Sequence, residues 1–219
     1  MPGQNNKVEL LGTYGSDETH ALSAWTSTSR DLTDEKRGRI GKLIERLAED
    51  GHHSVFEKSS IHFLITVDVV THYQILKHRI GVSINAESAR YKELKDDKYY
   101  VPFDWDTEEL EKYTNHLENS LLQYHDAVER LVKKGYAKKR AKETARFYLP
   151  YGNQLTMDVM FNFRSFMHFV SLRYAMGAQD EIRDIAKQML EMVQKTGQFN
   201  ESLNAFGLLV AGHIREPFE

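Results

Sequence analysis

Two runs of alternating apolar residues limit the folds open to this chain more than any other feature. Every second position is apolar in residues 60–68 and again in residues 155–161. A period of two places the apolar side chains on one face of a half-buried strand. Together with a shorter run at 7–13, these patterns predict a small sheet.

Apolar residues at helical spacing predict long helices around this sheet. The clearest stripe runs from Ile40 to Leu47, where steps of three and four residues place the apolar side chains on one face. Asp106 and Glu109 have the spacing of a capping pair at the start of the longest helix. The predicted helices span residues 17–29, 33–49, 69–78, about 106–135, 137–148, 164–176, 179–195 and 199–205.

These elements predict a fold of the α/β (α+β) class, in which a small mixed sheet is flanked by long helices. The chain of 219 residues shows no internal repeat, no low-complexity tract and no linker. A chain of this length can bury one full core. We therefore predict a single domain over residues 1–219.

The composition excludes several kinds of chemistry and targeting. The chain contains no cysteine, which removes disulfides, thiolate zinc sites and cysteine nucleophiles. The longest apolar stretch, 61–76, is broken by polar residues and is shorter than the roughly 20 clean apolar residues of a membrane helix. The polar segment 1–7 lacks the layout of a signal peptide. We expect a cytoplasmic protein with no membrane partner.

A basic segment stands out against the net charge of −3. It comprises Lys133, Lys134, Lys138, Lys139, Arg140 and Lys142. Such a cluster can contact phosphates or RNA. No aromatic residues interleave the lysines as they would on a base-stacking surface, so we interpret the segment as a solvated helix surface and expect no nucleic-acid partner.

Residues 77–91 carry the most informative pattern. The segment begins with Lys77, His78 and Arg79, continues with alternating small hydroxyl and amide residues, and ends with Arg90 and Tyr91. Arginine supplies a forked pair of donors to phosphate, and serine hydroxyls with backbone N–H groups bind the remaining oxygens. The segment suits an anionic ligand, although an ordinary polar loop has the same composition.

This segment resembles the signature of the flavin-dependent thymidylate synthases, which is Arg-His-Arg, two residues, Ser, one residue, Asn, two residues, Ser, one residue, Arg-Tyr. Two departures are visible. Lys77 replaces the first arginine, which keeps the charge and loses the planar fork. Three residues rather than two separate Arg79 from Ser83, so the sequence does not assign each flavin contact among residues 77–79.

Further segments resemble the same family in the expected order, over roughly residues 50–190. Gln74 stands three residues before Lys77. The other matching segments are Gly51-His52-His53-Ser54-Val55-Phe56-Glu57, Ala145-Arg146-Phe147-Tyr148-Leu149-Pro150, Asn162-Phe163-Arg164-Ser165 to Leu172-Arg173, and Ala178-Gln179-Asp180-Glu181-Ile182. On these segments the chain is identified as a member of that family.

The resemblance implies reductive methylation of dUMP to dTMP. The family uses FAD as cofactor, NADPH as reductant and 5,10-methylenetetrahydrofolate as one-carbon donor, and it needs no protein nucleophile, which agrees with the missing cysteines. It also implies a homotetramer with active sites shared between subunits. The chain has no Gly-x-Gly-x-x-Gly segment, so a Rossmann flavin site is not expected.

The resemblance also implies a dUMP site. Arg173 would lie against the uracil and favour ionisation at N3, which makes it the catalytic residue. The alternative for Arg173 is a salt bridge to Asp180 or Glu181. Ser88 could be read as a nucleophile, but no base is fixed beside it in the sequence. The predicted dUMP-binding residues are Gln74, Lys77, Ala86, Glu87, Ser88, Ala89, Arg90, Arg146 and Arg173.

The flavin site is likewise implied by the resemblance. Asn162 and Arg164 stand where a strand passes into a helix, which puts donors at a helix N-terminus. For His168 the alternative is a satisfied interior histidine. The predicted FAD-binding residues are Ser54, Lys77, His78, Arg79, Asn162, Phe163, Arg164 and His168. The chain's histidines lack the spacing of paired zinc ligands, so no metal is predicted.

Two other functions stay open at this point. Lys77 and the inserted residue favour a sister reaction on the same scaffold, such as a flavin-dependent pyrimidine nucleotide hydroxymethylase or an enzyme acting on dCMP. The basic segment favours a non-catalytic protein that binds nucleotides or RNA.

Overall fold

The computed structural model describes residues 5–29, 31–88 and 98–219. The strands are β1 Lys7–Tyr14, β2 Ser60–Asp68, β3 Val82–Ala86, β4 Gln154–Phe161, β5 Leu209–Val210 and β6 His213–Ile214. The helices are α1 Asp17–Trp25, α2 Asp34–Arg37, α3 Ile40–Glu49, α4 Val69–Ile75, α5 Thr107–Lys133, α6 Lys138–Ala145, α7 Phe163–Arg173, α8 Asp180–Lys195 and α9 Asn200–Ala205. Two 3₁₀ turns, His53–Glu57 and Arg146–Tyr148, complete these elements.

A four-stranded sheet in the order β1-β2-β4-β3 confirms the predicted class of helices around a small sheet. The strands predicted at 60–68 and 155–161 are present, and the second begins one residue earlier. No strand was predicted at 82–86, but these residues form β3 beside β4. A second sheet pairs β5 and β6 antiparallel and was not predicted.

Several predicted helices differ from the structure in length or continuity, and the one predicted at 17–29 ends at Trp25. The helix predicted at 33–49 is divided at Gly38, a residue that costs a helix interior about 1 kcal/mol relative to alanine. The helix predicted to reach residue 78 ends at Ile75. The helix predicted to reach Met176 ends at Arg173, since Tyr174 and Met176 exchange backbone hydrogen bonds with Phe218 near the C-terminus.

Contacts between Cα atoms divide the chain into two units. Unit 1 comprises Met1–Lys7, Ile65–Ile75 and Asn85–Met157, and unit 2 comprises Val8–Leu64, Leu76–Ile84 and Asp158–Glu219. The single domain over residues 1–219 stays a prediction. In the part of the chain that the structure describes, no helix is long and apolar enough to cross a membrane.

Unit 1 holds a buried polar network at the end of β2, directly before α4. The Asp68 carboxylate accepts hydrogen bonds from Asn6 Nδ2 at 2.7 Å, from the Thr71 backbone N–H at 2.9 Å and from the Thr71 hydroxyl at 2.7 Å. Asn6 Oδ1 in turn accepts from the Asp68 N–H and from Gln154 Nε2, both at 3.0 Å. These bonds fix the start of α4, which carries Gln74.

Asn6→Ala is expected to lower the free energy of unfolding by about 1–3 kcal/mol, because the substitution leaves the buried Asp68 and Gln154 each short of one partner. Denaturant unfolding of the variant measures the loss. Asn5→Ala is the matched control, since Asn5 is exposed beside Asn6. Equal stability of the two variants would contradict the role of the network.

The core of unit 2 contains a cluster of aromatic rings around His20. The His20 ring lies 5.2 Å from Phe56 and 5.4 Å from Phe163, the first residue of α7. Its two nitrogens lie 2.9 Å from Ser202 Oγ and 2.9 Å from Ser59 Oγ. His20 is fully buried, and burial lowers its pKa from 6.5 to about 4. The cluster holds the N-terminus of α7 in the core.

Unit 2 is therefore expected to lose stability in mild acid. Since the folded pKa of His20 is depressed, the unfolded chain binds more protons between pH 6.5 and 4. Neutral His20 therefore stabilises the folded state fully above pH 6.5. As the pH falls to 4, this contribution to the free energy of unfolding is lost, which amounts to on the order of 3 kcal/mol. Unfolding curves across this range should show a shallower slope for His20→Gln. His116→Gln, at an exposed position on α5, should keep the wild-type slope.

Candidate active site

The N-terminus of α7 is closed by Asn162. Its side-chain Oδ1 accepts a hydrogen bond from the Ser165 N–H at 2.9 Å, and its backbone is extended. Such a cap satisfies one of the unpaired N–H groups of the first turn. Because Oδ1 is engaged in the cap, the Asn162 amide Nδ2 is the group that can donate to a ligand. Phe163, the first helical residue, is buried in the aromatic cluster, so its side chain is not accessible to a ligand.

The turn before β3 packs on this same helix end. The Gly81 carbonyl accepts a hydrogen bond from the Asn162 N–H at 3.0 Å, and the Ile80 carbonyl accepts from the Ser165 hydroxyl at 2.6 Å. Gly81 has a φ of +66°, and a Cβ at this position would overlap Asn162 Nδ2 and Ser165 Oγ. The turn that contains the extra residue of the signature therefore depends on glycine.

Arg164 makes an ion pair with the 3₁₀ turn of unit 2. Its Nη1 donates to Glu57 Oε1 at 2.6 Å, and both side chains are partly exposed. Ser54 lies exposed in the same turn. The pair joins two of the predicted flavin segments. Sequence reasoning missed Glu57, although it is the last residue of the Gly-His-x-Ser-x-Phe-Glu segment.

Arg173 lies at the C-terminal end of α7 and contacts His78. Arg173 Nε donates a hydrogen bond of 3.0 Å to His78 Nε2. The His78 ring packs edge-on against Phe169, with ring centroids 4.9 Å apart, and only 8% of the residue is exposed. Burial, the Arg173 charge and His168 lower the pKa of His78 to about 4. His78 is therefore neutral near pH 7.

The remaining flavin candidates of this region are accessible. Lys77 and Arg79 flank the buried His78 and are both exposed. His168 is exposed as well, with its ring centroid 6.0 Å from that of His78. The alternative interpretation of His168 as an interior histidine is therefore wrong.

Asp180 and Glu181, the alternative partners considered for Arg173, both have hydrogen-bond partners at the N-terminal end of α8. Asp180 pairs with Arg183, and Glu181 accepts from Gln179 Nε2 at 2.7 Å. The sequence did not indicate the pairing of Arg173 with His78, because 95 residues separate them.

Unit 1 carries most of the predicted dUMP residues. Gln74 is half-buried on α4, and Arg146 is exposed at the start of a 3₁₀ turn. The Glu87 carboxylate accepts from the Thr156 N–H of β4 at 2.8 Å, and the Glu87 N–H donates to the Thr156 carbonyl at 2.8 Å. Ala86 is exposed at the end of β3, and Ser88 follows half-buried. Ala89 and Arg90 lie outside the described residues.

The flavin candidates and Arg173 all belong to unit 2. The members of this set are Ser54, Lys77, His78, Arg79, Asn162, Phe163, Arg164, His168 and Arg173. The described dUMP candidates of unit 1 are Gln74, Ala86, Glu87, Ser88 and Arg146. Within the described ranges, no cluster of three or more histidine or carboxylate side chains could hold a metal ion.

Comparison with known proteins gives consistent results. A family model described as "Thymidylate synthase complementing protein" matches residues 9–196. A flavin-dependent thymidylate synthase from Pseudothermotoga lettingae is 34% identical over 186 residues, covering 82% of this chain and 80% of the relative. A protein of the same name from Streptomyces coelicolor is 30% identical over 186 residues, covering 76% and 74% of the two chains.

The chain belongs to the flavin-dependent thymidylate synthase family.

A solved structure supports the same conclusion at the level of the fold. The UMP/dUMP methylase PolB from Streptomyces cacaoi, bound with 5-Br dUMP, has a TM-score of 0.78 and 26% identity, covering 97% of this chain and 99% of that one. The chain is accordingly an enzyme of methyl transfer, which sets aside the interpretation as a non-catalytic binding protein. The basic segment fits this conclusion, since its side chains are mostly exposed and Lys133 and Arg140 pair with glutamates.

Proposed function

We propose that this flavin-dependent thymidylate synthase methylates dUMP to dTMP, with 5,10-methylenetetrahydrofolate as the one-carbon donor and FAD reduced by NADPH. The observation that carries the proposal is the family match over residues 9–196. The absence of cysteine supports a route without a cysteine nucleophile.

The residues of unit 2 fit a bound FAD. Lys77 and Arg79 are exposed cations that can meet the pyrophosphate, and the capped start of α7 offers backbone N–H groups and the Asn162 amide to a flavin carbonyl. When bound, FAD would supply the hydride that reduces the transferred one-carbon unit. The residues we propose for the flavin site are Ser54, Lys77, Arg79, Asn162, Phe163, Arg164 and His168, and the His78 side chain lies buried between Lys77 and Arg79.

The chain's own residues would bind and polarise dUMP. Arg173 would place its guanidinium against the uracil and stabilise the negative charge that develops on the ring, which makes C5 more nucleophilic. Arg90 and Arg146 would bind the phosphate through paired donors. The other residues we propose for the dUMP site are Gln74, Lys77, Ala86, Glu87, Ser88 and Ala89.

The Arg164–Glu57 ion pair would open when FAD binds at Arg164. A flavin phosphate can replace the Glu57 carboxylate at Arg164, because both are anions that accept from a guanidinium. Because the pair is exposed, breaking it costs little free energy.

By resemblance, we also propose that the enzyme is a homotetramer with shared active sites.

Methylation of UMP is a second candidate function, because the solved structure with a TM-score of 0.78 is a UMP/dUMP methylase. Calorimetric titration of the flavin-loaded protein with dUMP and with UMP separates the two. We expect the smaller Kd for dUMP. A Kd for UMP equal to or below that for dUMP would assign the protein to the second function.

A further inference from the structure

The contact between His78 and Arg173 joins two predicted site segments within unit 2. His78 lies in the connection between α4 and β3, and Arg173 is the last residue of α7. Their hydrogen bond runs from Arg173 Nε to His78 Nε2 over 3.0 Å. The His78 ring is itself held by its edge-on contact with Phe169, which is fully buried one helical turn before Arg173. A ring held in this way is a fixed acceptor.

Hydrogen bonds hold the connection that carries His78 at both ends of α7. At the start of the helix the Ile80 and Gly81 carbonyls accept from Ser165 and Asn162. At its end the His78 ring accepts from Arg173. Because the same short connection is tied to both ends of one helix, the position of Nε2 relative to the Arg173 backbone is determined by the fold.

The bond also determines the direction of the guanidinium. A guanidinium group is planar, so fixing the Nε–H bond fixes the plane and with it the orientation of both Nη groups. An arginine side chain without such a bond has many rotamers, and ordering it on binding costs about 0.5–1.5 kcal/mol. Only a neutral imidazole can accept at Nε2, which requires the proton on Nδ1.

We propose that His78 is a positioning residue for catalysis, whose neutral imidazole holds the Arg173 guanidinium in the orientation that polarises the pyrimidine. The proposal rests on the proposed function of Arg173 at the uracil. It gives His78 a role distinct from direct contact with FAD, because the ring nitrogen that it uses faces Arg173 and its side chain is largely buried.

Two substitutions separate this role from packing. His78→Phe keeps a ring against Phe169 and removes the acceptor, and His78→Gln places an amide oxygen near the position of Nε2. We expect His78→Phe to lower kcat/KM for dUMP about tenfold to a hundredfold, the loss of one hydrogen bond to a charged group. His78→Gln should recover most of this loss. Flavin content, melting temperature and the rate of flavin reduction by NADPH should stay near wild type in both variants.

A double-mutant cycle tests whether the effect passes through Arg173. His78→Phe should lower kcat/KM in the wild-type background and change it less than twofold in the Arg173→Ala background, because the group that it positions is absent. An equal loss in both backgrounds overturns the proposal and leaves the proposed function intact. Unchanged dTMP formation in Arg173→Ala alone would contradict the proposed role of Arg173 instead.

A measurement on the wild-type protein does not depend on the folding of any variant. The ring nitrogens of His78 in protein labelled with ¹⁵N-histidine should show protonated Nδ1 and unprotonated Nε2 at pH 7. Protonated Nε2, or loss of bound FAD in His78→Phe, would overturn the positioning role in favour of a direct flavin contact.

Discussion

Arg173→Ala is expected to lower the rate of dTMP formation by a hundredfold to a thousandfold while leaving a folded flavoprotein. The reason is that the guanidinium is proposed to act on the pyrimidine, where negative charge develops, and removal of one preorganised donor of this kind costs about 2.7–4 kcal/mol. Flavin reduction by NADPH should barely change, since Arg173 is assigned to the uracil. Melting temperature, NADPH oxidation and dTMP formation are measured on the same preparation.

Arg39→Ala is the matched control for this variant. Arg39 also makes a side-chain contact, an exposed ion pair with Glu35 four residues earlier, and it lies outside the proposed site. Loss of such a pair costs between 0 and about 1 kcal/mol of stability. We expect dTMP formation by this variant to equal that of wild type. If Arg173→Ala behaves like the control in turnover and only loses stability, Arg173 is a structural residue.

Gly81→Ala is expected to lower the free energy of unfolding by about 2–4 kcal/mol and to release FAD. Alanine at a φ of +66° costs about 1–2 kcal/mol, and its Cβ would overlap Asn162 Nδ2 and Ser165 Oγ. The overlap forces the turn away from the start of α7, where the donors proposed to bind FAD lie. Flavin absorbance after gel filtration and denaturant unfolding measure both effects.

Gly51→Ala isolates the cost of backbone strain. Gly51 has a φ of +73°, and a Cβ there would meet no atom within 4 Å. This variant should lose about 1–2 kcal/mol and keep its FAD. If the two glycine variants lose equal stability and both keep FAD, close packing of the turn on α7 has no role in the flavin site.

Local signals in the sequence were sufficient for the elements that depend on near neighbours. Residues 60–68 alternate and form β2 over the same range. Asp106 caps α5 by accepting from the Glu109 N–H at 2.9 Å, as the spacing indicated. Asn162 caps α7 at the junction of strand and helix where donors were predicted. In each case the interaction that forms the element lies within a few residues.

Contacts between distant residues account for most of what the sequence did not predict. β3 consists of five residues that also fit a polar loop, and pairing in the sheet beside β4 makes it a strand. The end of α7 at Arg173 depends on hydrogen bonds with Phe218, which is 45 residues or so away along the chain. A periodicity argument cannot detect a partner at such a distance.

The candidate site shows the same division. The residue types of residues 77–79 indicated an anion site, but only the structure shows that the middle one is buried and accepts from Arg173 while its two neighbours are exposed. Likewise, Glu87 was predicted to bind dUMP, but its carboxylate accepts a hydrogen bond from the Thr156 backbone N–H of β4. Motif spacing predicted the functional residues, and the structure shows which of the described side chains are buried and which are exposed.

Product identification tests the central claim most directly. Purified protein is incubated with FAD, NADPH, 5,10-methylenetetrahydrofolate and dUMP, and the nucleotide products are resolved by chromatography and mass spectrometry. Our account predicts dTMP, formed only when all four are present and at an unchanged rate after treatment with a thiol-blocking reagent. Hydroxymethyl-dUMP as the final product, or recovery of unmodified dUMP from the complete mixture with flavin-loaded protein, would contradict it.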